Sequence, residues 1–178
     1  MLLRILILQV LLASIFPVKA TELKKFNLGA GYYSVQLYDE AESYDSDRFS
    51  GVSLAATYLF TDRIALRGNY YQLRQSDFAY DDADGWEVLA FFGNGLATQG
   101  GKWYVGGGYF NEQWHAASVS DTFNGLQLGG GFGYNWELIA LDMQLTLRDS
   151  ADYDDTPGTQ NTEIVTAGVL ALILSARF

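Results

Sequence analysis

The sequence predicts an all-β chain, an eight-stranded antiparallel transmembrane β-barrel. Three observations carry this reading. Apolar and polar residues alternate over segments of ten or more residues, with no apolar run of helical spanning length beyond the N-terminal segment. The connections between these segments are alternately short and long. The last run, 162–178, is rich in β-branched and aliphatic residues and ends on the aromatic Phe178. In a closed barrel that run pairs back onto the first strand and its terminal ring sits at a membrane interface, whereas a soluble sheet would be left with a raw edge.

Residues 1–20 are read apart from the fold. Arg4, an apolar stretch, Pro17 and then Val18-Lys19-Ala20 have the layout of a cleaved secretory signal peptide. A permanent membrane helix needs about 20 uninterrupted apolar residues, and Gln9, Pro17 and Lys19 break the run. Residues 21–178 then form one domain, the outer-membrane barrel. Removing Arg4 and Lys19 moves the net charge from −10 to −12. Such a charge repels nucleic-acid backbones, so nucleic acid is excluded as a partner. The chain has no cysteine, which excludes disulfides, thiolate metal sites and a lipidated N-terminal cysteine.

The strands are expected at about 25–38, 49–60, 64–76, 85–97, 102–114, 123–134, 138–149 and 162–178. Tight turns follow the second, fourth and sixth: Thr61–Arg63, Thr98–Gly101 and Asn135–Glu137. Longer, mostly acidic connections follow the first, third, fifth and seventh: Asp39–Arg48, Asp77–Asp84, His115–Thr122 and Ser150–Asn161. Short periplasmic turns on one rim and longer extracellular loops on the other, with an even strand number, put both termini in the periplasm.

Energy decides which face meets lipid. An ionised side chain near the bilayer middle costs about 2–4 kcal/mol if basic and less if acidic. In the seventh strand Ile139, Leu141, Met143, Leu145 and Leu147 share one face, opposite Ala140, Asp142, Gln144, Thr146 and Arg148. The aliphatic face must point outward. The sixth strand divides likewise, Leu126, Leu128, Phe132 and Tyr134 against Gln127 and glycines. In the second, Val52, Leu54, Ala56, Tyr58 and Phe60 oppose Gly51, Ser53, Ala55 and Thr57; in the fourth, Trp86, Val88, Ala90 and Phe92 oppose Glu87. The fifth has aromatics on both faces (Trp103, Tyr104, Tyr109, Phe110) and its register stays open.

Two belts of aromatics are expected at the membrane interfaces. Tyr58, Phe60, Trp103, Tyr104, Tyr134, Trp136 and Phe178 lie near the short turns; Tyr38, Phe78, Tyr80, Trp86, Trp114 and Phe123 lie near the long loops. A soluble lipocalin-like barrel would need a charged exterior, yet Lys24, Lys25 and Lys102 are the only lysines after residue 20.

With these features the chain resembles the small outer-membrane β-barrel family that includes OmpX and the transmembrane domain of OmpA. The likeness rests on the signal peptide, the alternating strands, Phe178, the turn segment Tyr58-Leu59-Phe60-Thr61-Asp62-Arg63-Ile64-Ala65-Leu66-Arg67 and the Gly-rich Gly129-Gly130-Gly131-Phe132-Gly133-Tyr134. It covers 21–178 and specifies architecture better than activity. The resemblance implies folding by the outer-membrane assembly machinery, with the terminal aromatic strand in the recognition signal. No peptidoglycan-binding domain follows Phe178, so a cell-wall tether is not expected.

Eight strands enclose a lumen that side chains can fill. Arg67, Glu87, Gln127, Asp142, Gln144 and Arg148 are the expected interior polar residues, with Arg67 and Asp142 at comparable depth. A mutually bonded plug is the reading, because unpaired charge in that space is costly. The glycines at 106–108 and 129–131 leave room for it and cradle no phosphate, since no Lys-Ser/Thr follows. A hydrolase would need His, Ser and an acid together on one outer face. The single histidine, His115, lies three residues from Ser118, of opposite strand parity, in what reads as loop.

Acidic residues crowd the long connections, for example Asp39, Glu40, Glu42, Asp45 and Asp47, or Asp152, Asp154 and Asp155. Such oxygens can hold divalent cations that bridge to lipopolysaccharide phosphates. No EF-hand spacing is present, and solvated, mutually repelling loops are the simpler reading. Neither metal nor cofactor is expected. Tyr44, Phe49, Phe78, Tyr80 and Tyr153 among the loops could meet a surface partner of unknown kind. The expected function is an integral outer-membrane barrel, exported and embedded among outer-membrane lipid and lipopolysaccharide, with a structural or surface-interaction role and no catalysis. The alternative is a narrow channel or small-molecule conduit.

Overall fold

The computed structural model describes residues 23–38, 48–75, 82–116, 119–148 and 166–178. The expected signal peptide and most of the long acidic connections, including Tyr44, Phe78, Tyr80, Tyr153 and Ser118, lie outside the described residues.

Eight strands form one closed antiparallel barrel: β1 Phe26–Tyr38, β2 Arg48–Leu59, β3 Ile64–Gln75, β4 Asp82–Asn94, β5 Gly100–Ala116, β6 Val119–Asn135, β7 Ile139–Arg148 and β8 Thr166–Arg177. Each strand pairs with its sequence neighbour, and β8 closes onto β1 from Asn27↔Arg177 to Tyr38↔Thr166. The seam extends past the strand ends, where Phe178 N donates to Phe26 O at 2.8 Å and Lys25 N to Phe178 O at 2.8 Å. Closure satisfies backbone groups that lipid could not.

Two expected boundaries are corrected. The third long connection, placed at 115–122, is almost absent: β5 runs to Ala116 and β6 starts at Val119. Polar residues there remain in strand because the pairing continues above the apolar band, with His115↔Ser120 in register. The fourth strand starts earlier than 85 and stops at Asn94 rather than 97. Residues 95–99 instead turn beneath the barrel, where Leu96 and Ala97 are buried.

The open register of β5 is settled by its charges. Trp103, Val105 and Tyr109 face outward, while Lys102, Tyr104, Phe110 and Glu112 are buried inside. Lys102 and Glu112 share parity, so one choice of face removes both from hydrocarbon.

The exterior is aliphatic and aromatic, with Val52, Leu54, Leu66, Val88, Leu126, Leu128, Phe132, Leu145, Leu147, Leu172 and Leu174 all exposed. Leu128 is 72% exposed, an arrangement stable only against hydrocarbon. Leu128→Arg should therefore lower stability in lipid bilayers by about 2–4 kcal/mol, read by urea unfolding; an unchanged midpoint would mean this face does not contact lipid.

Tyr58, Phe60, Trp103, Tyr134, Trp136 and Phe178 stand on the outside near the periplasmic ends. Tyr58 packs edge-on against Phe26 (5.0 Å) and Phe60 (4.7 Å), and Tyr134 lies 4.8 Å from Trp136. Three residues placed in the belts are corrected: Tyr104 is buried inside at the periplasmic end, Phe123 is buried inside at the extracellular end, and Trp114 packs inward against Phe123 (5.1 Å) and Phe49 (4.4 Å). Phe49 is thus part of the interior rather than a surface contact. Proximity to a strand end does not decide belt membership; parity does.

Candidate functional site: the barrel interior

The interior is built by inward-facing residues of all eight strands and is stacked in layers. At the periplasmic end lies an apolar cluster of Leu59, Ala65, Leu89, Phe91, Leu96, Ala97 and Tyr104. The extracellular part holds a larger one that includes Tyr33, Val35, Phe49, Leu73, Phe110, Phe123 and Val169. The expectation of a polar plug is thereby refined: the ion-paired layers lie between two apolar clusters, with Asn27, Asn135 and Arg177 also buried at the periplasmic end.

The lower polar layer centres on Asp142 of β7. Lys102 Nζ donates to Asp142 Oδ2 at 2.8 Å, and Arg67 Nη2 lies 3.1 Å from Oδ1 as an ion pair whose angle falls outside hydrogen-bond geometry. Arg67 also donates to Thr57 Oγ1 (2.9 Å), Tyr104 Oη (3.2 Å) and Gln144 Oε1 (3.0 Å). The upper layer centres on Arg148, which donates to Glu112 Oε2 (2.6 Å), Tyr33 Oη (2.8 Å) and Tyr71 Oη (3.0 Å), and reaches Glu87 Oε2 at 3.4 Å. Its guanidinium sits 4.4 Å from the Phe110 ring centroid. Glu87 further accepts from Asn69 (2.6 Å), Tyr33 (2.7 Å) and Gln127 (3.0 Å).

Gln144 joins the layers, accepting from Arg67 and donating to Glu87 Oε1 at 3.5 Å. The structure thus brings Arg67, Glu87, Gln127, Asp142, Gln144 and Arg148 into one connected set. Three ion-paired buried cations (Arg67, Lys102, Arg148) face three buried carboxylates (Glu87, Glu112, Asp142), and a fourth buried cation, Arg177, lies at the periplasmic base. Pairing of opposite charges is what such a low-dielectric space demands.

Sequence reasoning missed Lys102, Glu112, Asn69 and the tyrosines 33, 71 and 104. A signal existed for most of them. Lys102 and Glu112 share parity, and in the tandems Tyr32-Tyr33 and Tyr70-Tyr71 strand alternation sends one ring of each pair inward. Those inward rings, Tyr33 and Tyr71, stack at 4.4 Å. Glycines admit the bulk: a Cβ on Gly131 would lie 2.6 Å from Tyr104 Oη.

The periplasmic base is closed by the 95–99 turn. Asp62 in the β2–β3 turn accepts from the backbone N–H groups of Gly95 (3.1 Å), Ala97 (3.0 Å) and Thr98 (2.9 Å) and from Thr98 Oγ1 (2.9 Å). Arg177 holds the same turn from the other side through the carbonyl of Ala97. Partial burial opposes ionisation of Asp62, but the donors from Thr98, Ala97 and Gly95 outweigh it and hold the carboxyl below its usual range. Its folded value is below its unfolded value, so its contribution is complete above about pH 4 and is lost as pH falls through the lowered folded value. Asp62→Asn should cost about 1 kcal/mol at neutral pH and flatten the acid limb of a stability-versus-pH curve; an unaltered limb would refute this role.

At the extracellular rim, His115 lies in β5 and not in a loop. Its Nε2 is 3.2 Å from Asp84 Oδ1, and its Nδ1 is 3.5 Å from Ser120 Oγ across the hairpin. This brings His, Ser and acid to one outer face through Ser120. The Ser120 hydroxyl, however, is engaged at 2.8 Å by Gln113 Nε2, and the histidine contact is at the outer limit of a hydrogen bond. The cluster is an exposed polar tie between the β5–β6 hairpin and β4. Among the described residues no group of His, Asp and Glu is placed to hold a metal.

A closed antiparallel barrel, apolar outside and ion-paired within, places this chain in the class of small eight-stranded barrels of the outer-membrane type. No protein-family model and no curated protein sequence matches it. Among solved structures it is similar to Ail, the attachment invasion locus protein of Yersinia pestis (TM-score 0.58, 18% identity, 88% of this chain and 100% of that one). It is also similar to the Neisserial surface protein A, NspA (0.60, 15%, 89% and 100%), and to the N-terminal β-barrel domain of Pseudomonas aeruginosa OprF (0.54, 13%, 88% and 100%). At these identities the likeness is one of fold.

Proposed function

We propose that this chain is an integral outer-membrane barrel with a structural or surface-interaction role, a lumen closed to solutes and no catalytic centre. The observation that carries the reading is the interior itself: three cations and three carboxylates neutralise one another between two apolar clusters. Moving a solute through would break several of these buried contacts at once. Reconstituted in planar lipid bilayers, the protein should give a silent baseline; reproducible unitary conductance steps would favour the conduit reading instead.

Export completes the proposal. Residues 1–20 act as the signal, so the protein purified from outer membranes should begin at Thr21, and the outer-membrane assembly machinery folds 21–178. Its surroundings are outer-membrane lipid and lipopolysaccharide. Ail has been crystallised with the heparin analogue sucrose octasulfate. Without Arg4 and Lys19 the net charge is −12, which disfavours a polyanionic sugar as this chain's own surface partner.

A further inference from the structure

We propose that Arg177 is a bolt that locks the closed barrel: its guanidinium grips the β4–β5 turn across the periplasmic base, a contact open to it only once β8 has reached β1. Arg177 is the last residue of β8 and lies on the seam, where its register partner is Asn27 of β1. It is 3% exposed, yet among the described residues it forms no ion pair. Burying an arginine without a carboxylate is costly, so its charge alone gives no reason for it to be there. Its geometry does. Nη2 donates to Ala97 O at 2.6 Å, and Nη1 donates to Trp136 O. One planar fork thus joins the closing strand to the β4–β5 turn and to the β6–β7 turn.

Two other side chains hold the 95–99 turn, and they differ from Arg177 in when they can act. Asp62 takes the N–H groups of the turn, as described above. Asn135, the last residue of β6, shares its two Nδ2 protons among the carbonyls of Gly95 (2.9 Å), Leu96 (3.0 Å) and Thr98 (2.9 Å). Asp62 belongs to the preceding periplasmic turn, and Asn135 pairs with Gly100 on the neighbouring strand. Both are close to the 95–99 turn in any sheet, open or closed. Arg177 is not. The shorter way from β8 to β5 passes through β7 and β6, about 14 Å along a sheet with strands about 4.8 Å apart. That is farther than one arginine side chain reaches, and only a sheet curled shut brings the two together.

Closure therefore comes first and the bolt second. A contact made after the folding transition state slows unfolding without speeding folding. What it resists is separation of β8 from β1, which would bare Arg67, Lys102 and their partners to hydrocarbon.

The test is kinetic, on the full barrel folding from urea into lipid vesicles and unfolding in urea, with the closed fraction read from the gel mobility of unheated samples. R177M should unfold about tenfold faster than wild type and fold at a rate within about twofold of it. N135A, which loses ties available before closure, should also fold more slowly. R63Q, a loss of charge in the exposed part of the β2–β3 turn, should match wild type in both rates. Slower folding of R177M with unchanged unfolding would place the contact before closure and overturn the bolt, as would two unchanged rates. Should R177M fail to fold, R177K carries the test, because an ammonium keeps the charge but cannot span two turns. It should unfold faster by the same factor, and wild-type rates in R177K would overturn the bridging geometry.

Discussion

Asp142→Asn should destabilise the barrel by about 3–5 kcal/mol, because it leaves two buried cations without a carboxylate. Arg67 and Lys102 both converge on Asp142, and all three are almost fully shielded from solvent. An amide keeps the shape but removes the charge, so the loss measures electrostatics rather than packing. Urea titration in lipid vesicles, followed by the heat-modifiable gel shift, is the measurement. The triple change Asp142→Leu, Arg67→Met, Lys102→Met should recover most of the loss, since removing the whole cluster also removes its desolvation cost. A single-variant loss below about 1 kcal/mol would show that water or rearrangement relieves the orphaned cations.

Arg148→Met should have an effect of similar size, about 3–5 kcal/mol, through the opposite charge. Glu87 and Glu112 are both fully buried, and Arg148 is the cation paired with each of them. The substitution also removes donors from the Tyr33 and Tyr71 hydroxyls and the contact over Phe110. Arg148→Lys should restore only part of the stability, because an ammonium cannot reproduce the guanidinium fork that spans two carboxylates. Full rescue by lysine in the same titration would mean that charge alone, and not its geometry, holds the upper layer.

The opposite signs of the two layers explain why Gln144 matters. It accepts from the cationic lower layer and donates to the anionic upper one, so a neutral amide is suited to both sides.

Much of this was legible in the sequence, for a definite reason. In a membrane barrel each strand residue faces either hydrocarbon or lumen, and one charge fixes the parity of its whole strand. Asp142 did so for β7 and Glu87 for β4. The aromatic β5 hid the same signal, because rings are tolerated on both faces and draw attention away from Lys102 and Glu112. The belt residues Tyr104, Trp114 and Phe123 were misplaced on similar grounds, their height in the barrel being easier to read than their parity. The length of the β5–β6 hairpin was also obscured, since polar strands above the apolar band carry no hydrophobic alternation.

The amino-acid order alone determined the strand number, the outward direction of the aliphatic face and the need for interior charges to be matched. Those follow from period-two geometry and the cost of charge in lipid, both local properties of each strand. Which cation meets which carboxylate and the inward turn held by Asp62 were decided only by the tertiary structure. They depend on the stagger between strands, which accumulates around the closed sheet and brings together residues that no single segment places near one another.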